Sequence, residues 1–200
     1  YLGKEVIRQL KLINDIDSIS IITRGEKKKL KNKLGVEKIF NISEFDTGKI
    51  NFSNFDLFIH FSSAKPTNTN QEIALSLKYT SKLFDLCAKS QISSIIYASS
   101  QSVYGDLKAN LFDENNLPTP KDLYSLSKFG GELMLDKLSI LSPNTKYCSL
   151  RISRLFGLGD GMKWDEVPHK FIKKIHQDKK IILHGGNQTY DLINVKDVAR

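Results

Sequence analysis

Residues 92–105 read ISSIIYASSQSVYG. Ile92 to Ser99 is a short apolar run of the kind that forms a buried strand, and the chain turns polar directly after it. Ser99 and Ser100 therefore fall where a buried strand emerges at its carboxyl end. In open α/β sheets that edge is where ligands collect.

The flanking stretches show whether such a sheet is present. Upstream, Phe55 to Phe61 (FDLFIHF) reads as another buried strand, with an amphipathic helix from Glu72 to Lys89 between the two. Downstream, a loop holding Pro118 and Pro120 leads to a helix from Tyr124 to about Ile140, then to strand-like Lys146 to Ile152 (KYCSLRI). At the start, Val6, Ile7, Leu10 and Ile13 recur at helical spacing, and Ser18 to Thr23 (SISIIT) is a β-branched run ending at Gly25. Strands alternating with helices imply an α/β fold with a mostly parallel sheet and right-handed crossovers. Beyond Arg154, Gly157, Gly159 and Gly161 crowd a loop. Val167 to Gln177 then looks helical and Ile181 to His184 like a short strand, which would begin a second, smaller lobe.

Composition narrows the class. Two hundred residues, 40% hydrophobic and 26% charged, suffice for a packed core without metal or disulfide support. No apolar run approaches the roughly 20 residues of a membrane span, and Tyr1 to Leu12 lacks the apolar segment of a signal peptide. Cys87 and Cys148 have no metal-ligand spacing and read as reduced core thiols, which favours a cytoplasmic protein without a metal site. The net charge of +8 suits phosphorylated ligands, nucleic acid or an anionic surface. Much of the excess lies in Arg24, Lys27, Lys28, Lys29, Lys31 and Lys33. No aromatic interleaves that run, so a solvated helix face is preferred and nucleic acid is not the expected partner.

Tyr124 and Lys128 stand four apart at a helix start, hence on one face and one turn from each other. A neighbouring ammonium favours the phenolate, moving tyrosine from its pKa of about 10 toward a value useful for acid/base work. Ser100 would hydrogen-bond the same substrate hydroxyl. Taken singly, such a pair is more often a surface pair, and serines at a strand end are more often turn formers.

Together, Ser99 to Gly105 (SSQSVYG), Tyr124 to Lys128 (YSLSK), His60 to Ala64 (HFSSA), Leu150 to Gly157 (LRISRLFG) and Asp191 to Ala199 (DLINVKDVA) resemble the extended short-chain dehydrogenase/reductase family, specifically its nucleotide-sugar epimerases and dehydratases. The resemblance implies a Rossmann-like, doubly wound parallel sheet. Residues 1–156 would form the NAD(P)-binding domain and residues 157–200 the start of a substrate lobe. It implies Ser100, Tyr124 and Lys128 as catalytic residues, with Tyr124 and Lys128 also touching the cofactor. Phe61, Ser62, Ser63 and Ala64 would form a backbone wall beside the cofactor, and Ser100, Gln101, Ser102 and Arg154 would face a nucleotide-sugar substrate. A homodimer is the expected assembly. His60 reads as a satisfied core histidine, and His169, His176 and His184 have no constellation to join.

Several departures shape the expectation. Of the family's glycine-rich turn only Gly3 stands here, as its last glycine, so the chain reads as truncated before its first strand. Where an acidic residue would hold the adenosine ribose of NAD, the chain has Thr23-Arg24-Gly25. Arg24, with Lys27 or Lys28 nearby, suits the 2′-phosphate of NADP, so the cofactor reading leans to NADP over NAD. Similar dehydratases place Asp-Glu after the active Thr. Gln101 and Ser102 cannot do that proton chemistry, which favours epimerisation, then simple reduction, over loss of water. Arg154 stands for the family's usual Asn and Tyr190 for its usual Arg. Arg154 either contacts phosphate or caps a strand end in an ion pair. A non-catalytic, cofactor-sensing relative is the reading from another class.

Overall fold

The structure, a computed structural model, describes residues 1–23, 27, 30, 34–45, 50–105, 111–162, 164, 166–183, 185–187 and 189–200. Arg24, Lys28, Lys29, Lys31, Lys33 and His184 lie outside the described residues. In chain order the elements are α1 (Leu2–Leu10), β1 (Ser20–Thr23), β2 (Lys38–Asn41), α2 (Ile42–Phe45), β3 (Leu57–His60), α3 (Asn70–Lys89), β4 (Ser94–Ser100), α4 (Leu123–Leu141), β5 (Lys146–Ile152), β6 (Arg154–Phe156), α5 (Val167–His176), β7 (Leu192–Asn194) and α6 (Val195–Ala199). Every described strand pairing is parallel, which is the α/β architecture the alternation implies.

The chain separates into two compact units, Asn51–Ser153 and Tyr1–Ile50 together with Arg154–Arg200. In Asn51–Ser153 the strand order is β3-β4-β5, with Ile96 of β4 opposite Ile59 on one side and Cys148 on the other. Flanked on both edges, β4 is nearly continuously apolar, and Ile95, Tyr97, Ala98 and Ser99 are buried. Helix α3 opens with a reciprocal cap, Glu72 N donating to Thr69 Oγ1 at 3.3 Å and Thr69 N to the Glu72 carboxylate at 2.8 Å. The cap starts the helix at Asn70, ahead of the Glu72 that periodicity indicates. Phe84 and Cys87 of α3 and Leu135 of α4 are buried.

In the other unit, β1 pairs with β2 and β6 with β7, and α1 packs on α6. Helix α1 begins at Leu2, so Gly3 sits in its first turn. Glu5, in the same turn, is buried and accepts from Arg8 Nη2 at 2.5 Å.

Some expectations need correction. Cys148 is exposed, because β5 alternates exposed and half-buried positions and this residue faces outward. Residues 181–183 form no strand. Ile182 and Leu183 are exposed, and apolar β-formers without a pairing neighbour do not make a strand. Strands β2, β6 and β7 span only three or four residues, too short for a periodic signal.

His60 is buried, as a core histidine should be. Its ring stacks on Phe58 at 5.9 Å and Tyr97 at 5.7 Å and meets Phe84 edge-on. The Thr80 hydroxyl spends its proton on Ser76 O, so the neutral ring donates from Nε2 to Thr80 Oγ1, 2.9 Å away. Burial, then the Lys128 charge, lowers its pKa to about 3. The folded state thus disfavours the proton that an unfolded histidine, with a pKa of about 6.5, accepts. Its contribution to stability is complete above about pH 6.5 and is lost progressively toward pH 3, by up to about 1.4 kcal/mol per pH unit. Urea unfolding of His60→Gln at pH 7 and pH 5 is expected to show a flatter pH dependence than the parent; equal slopes would refute this.

Candidate active site

The end of β4 and the first turns of α4 come together within Asn51–Ser153. Helix α4 starts where it does because Asp122 caps it: Ser125 N donates to Asp122 Oδ1 at 2.7 Å. That places Tyr124 in the first turn, half-buried, and Lys128 one turn later, buried at 4% exposure. On the strand side, Ser100 ends β4 and caps the 3-10 turn Gln101–Tyr104. Its Oγ accepts from Ser102 N at 3.2 Å and from Ser102 Oγ at 3.0 Å. Gly105 closes this turn at φ +60°, where an added Cβ would lie 2.0 Å from Thr119 O.

The Ser100 hydroxyl adjoins the Tyr124 phenol and lowers its pKa, and Lys128 Nζ donates to Ala98 O at 2.7 Å. The structure therefore gathers Ser100, Tyr124 and Lys128 at the carboxyl end of a central strand. Their electrostatics differ from the expectation. The Tyr124 phenol is held above its ordinary value by burial first, opposed by the Ser100 hydrogen bond and assisted by the Asp122 charge. The net direction is upward, whereas the Lys128 spacing implies a downward one; the Lys128 ammonium donates to Ala98 O and lies 5.2 Å from the Tyr97 ring centre. Burial lowers Lys128 itself to about 8, with Glu132 opposing.

Phe61, Ser63 and Ala64 are half-buried after β3 and Ser62 is exposed; Ala64 N donates to Ser76 Oγ at 2.9 Å. Gln101 and Ser102 are half-buried in the turn after Ser100. Gly3 and Arg154 belong to the other unit. There Arg154 is exposed and its guanidinium stacks 4.8 Å over the Tyr190 ring. Arg24 lies outside the described residues, and Lys27, suggested beside it for a phosphate, forms an ion pair with Glu44. His169 is buried, accepts from Gly157 N at 3.2 Å and meets Trp164 edge-on.

Sequence reasoning missed a buried network under the site. Glu132, 5% exposed, accepts from Ser99 Oγ and from Arg151 Nη2 at 2.8 Å and Nε at 3.2 Å. Arg151 Nη1 in turn donates to the Tyr104 phenol at 3.0 Å. A signal was available, since Glu132 continues the four-residue spacing of Tyr124 and Lys128. Among the described residues, no cluster of three or more His, Cys, Asp or Glu could hold a metal, and no helix is long and apolar enough to cross a membrane.

Known proteins share this arrangement of elements. A Methanocaldococcus jannaschii protein provisionally named a UDP-glucose 4-epimerase is 29% identical over 213 residues, covering 100% of this chain and 68% of that protein. The structure of a UDP-N-acetylglucosamine 4-epimerase from Bacillus cereus matches with a TM-score of 0.74 at 22% identity, over 100% of this chain and 66% of that one. A UDP-glucuronic acid 4-epimerase from Bacillus cereus, solved with UDP-glucuronic acid and NAD, matches with a TM-score of 0.79 at 20% identity, over 100% and 68%. At these identities the two structures establish the Rossmann-like fold. The chain spans about two-thirds of the length of these relatives. With a family model matched over residues 1–200, the chain belongs to the NAD dependent epimerase/dehydratase family.

Proposed function

We propose that this chain forms the cofactor and proton-transfer part of an NAD(P)-dependent epimerase acting on a nucleotide-linked sugar. The observation that carries the reading is the meeting of Ser100 and Tyr124 at the end of β4, with buried Lys128 one turn away and bonded to Ala98 O. The Tyr124 phenolate takes the proton of a sugar hydroxyl and returns it after the carbon has been inverted. Ser100 orients that hydroxyl and stabilises the phenolate. A bound NAD(P) would supply reversible hydride transfer at the sugar carbon.

The residues fit such a cofactor. Lys128 Nζ has three donors and one is engaged at Ala98 O, leaving donors for a ribose hydroxyl. Residues 61–64, Tyr124 and Lys128 would hold the nicotinamide end, with Gly3 at a helix start for the pyrophosphate. Arg24 favours NADP over NAD, and Arg154 on its Tyr190 platform would meet the substrate phosphates. On this reading residues 1–156 bind the cofactor and residues 157–200 begin the substrate lobe of a cytoplasmic enzyme. A homodimer is supported by the exposed Leu75, Leu126 and Leu133 on α3 and α4, and light scattering on the full chain measures it.

The test is incubation of the full chain with UDP-glucose, UDP-N-acetylglucosamine or UDP-glucuronic acid and either NAD or NADP. The expected result is the epimer, formed without net reduced cofactor and faster with NADP. Stoichiometric cofactor consumption would instead establish the reductase reading, and no conversion of any of the three would reject the epimerase reading for these sugars.

A further inference from the structure

Helix α4 is stitched to the end of β4 at three successive turns. Tyr124 adjoins Ser100, Lys128 donates to Ala98 O, and Glu132 accepts from Ser99 Oγ. The first two contacts belong to the site described above; the third does not, and it is the most heavily built. The Glu132 carboxylate is buried and meets Arg151 through both Nε and Nη2, while Arg151 also bonds the Tyr104 phenol and lies 4.8 Å from the centre of its ring. One carboxylate thus joins α4 to β4, to β5 and to the turn that follows Ser100.

A buried ion pair is a poor device for stability alone, since its desolvation offsets most of the attraction and an apolar pair of like volume often does as well. Its position suggests another task. Lys128 and Glu132 are four apart on one helix face, and Ser99 lies between the residues that hold Lys128 and Tyr124. We propose that Glu132 is a positioning residue of the reaction: braced by Arg151, it holds the Ala98–Ser100 strand end against α4 and keeps the Lys128 side chain in its ammonium form. The inference rests on the reading of Tyr124 and Lys128 as the proton-transfer site.

Burial drives Lys128 toward the neutral amine and Glu132 opposes it. The other ionisable groups packed around Lys128 are Tyr124 on its own helix, Tyr97 on β4 and His60 on β3, with Arg151 on β5 reaching it through Glu132. Tyr97 is held neutral well above its ordinary value by burial, and His60 is neutral near pH 7. Glu132 is therefore the one group named here that supplies negative charge.

The experiment is a ¹³C-lysine NMR titration of the full chain, with the Lys128 resonance identified by its loss in Lys128→Met. Glu132→Gln keeps the shape and an acceptor for Ser99, and Lys128 is expected to titrate about one pH unit lower than in the parent. With UDP-glucose as the probe sugar, kcat is expected to fall about 10–100-fold with KM changed less than about threefold. Because Glu132→Gln leaves the half-buried Arg151 charge without its partner, the double variant Glu132→Gln/Arg151→Met is made beside it. If the pair is only structural, the double variant recovers both the parent Lys128 titration and the parent kcat, which overturns the proposal. If Glu132 positions and charges Lys128, both remain shifted in the folded double variant. The titration needs no turnover, so an absence of epimerase activity would count against the functional reading while leaving this inference to be decided by Lys128.

Discussion

Tyr124→Phe in the full chain is expected to lower kcat for epimerisation about 10²–10⁴-fold, the usual contribution of a positioned proton-transfer group, while leaving cofactor affinity within about threefold. The substitution removes one oxygen and keeps the ring that packs at the start of α4. It leaves no orphan behind, because the Ser100 hydroxyl still accepts from Ser102 N and Ser102 Oγ. Thermal stability should therefore stay close to that of the parent, which separates lost chemistry from lost fold. Parent-like rates in a folded Tyr124→Phe protein would remove Tyr124 from the mechanism.

The pH dependence carries a sign that follows from the site. Burial raises the Tyr124 phenol and the Ser100 hydrogen bond lowers it. Rates limited by the phenolate rise as pH passes upward through the Tyr124 pKa. Without the Ser100 hydroxyl that rise moves to higher pH, so the profile of Ser100→Ala should be displaced toward alkaline pH relative to the parent. Displacement toward acid would contradict the role given to Ser100.

The second large effect concerns packing under the site. A Cβ added to Gly131 would lie 2.4 Å from Tyr97 Oη and 2.5 Å from Cζ, against a ring that is itself 3% exposed. Neither atom belongs to a side chain free to swing aside, so α4 must move away from β4. Gly131→Ala is expected to cost about 1–3 kcal/mol despite alanine's better helix propensity, a fall in Tm of roughly 3–10 °C. Gly130→Ala supplies the contrast: its Cβ would meet only Leu77 methyl groups at 3.5 Å, an ordinary contact. Propensity then dominates, and Tm should hold or rise, by about 0.5–1 kcal/mol of stability. Equal behaviour of the two variants in a thermal melt would refute this account.

How legible was the site? Ser100, Tyr124 and Lys128 each occupy a place that local rules indicate: the end of a buried apolar run and two positions one turn apart behind a capped helix start. Their meeting depends on α4 docking onto β4, and that docking depends on Gly131, whose missing side chain carries no chemical signal. Glu132 and Arg151 are 19 residues apart, and Ser99 is 33 from Glu132, so no local periodicity links them. The net direction of the Tyr124 shift was not legible for a related reason: helical spacing places two side chains on one face but does not say how deeply the phenol will be buried.

The sequence by itself determined the α/β alternation, the buried parallel strands and the positions of the three residues proposed for proton transfer, because burial period, capping and turn chemistry are written in neighbouring residues. Tertiary structure alone decided which charge faces which, that Cys148 is exposed while Cys87 is buried, and that residues 192–194 rather than 181–183 form the strand beside β6. The physical reason is range. Propensity and periodicity act over a few residues, whereas desolvation, ion pairing and strand partnership depend on groups that only the folded chain brings within a few ångströms.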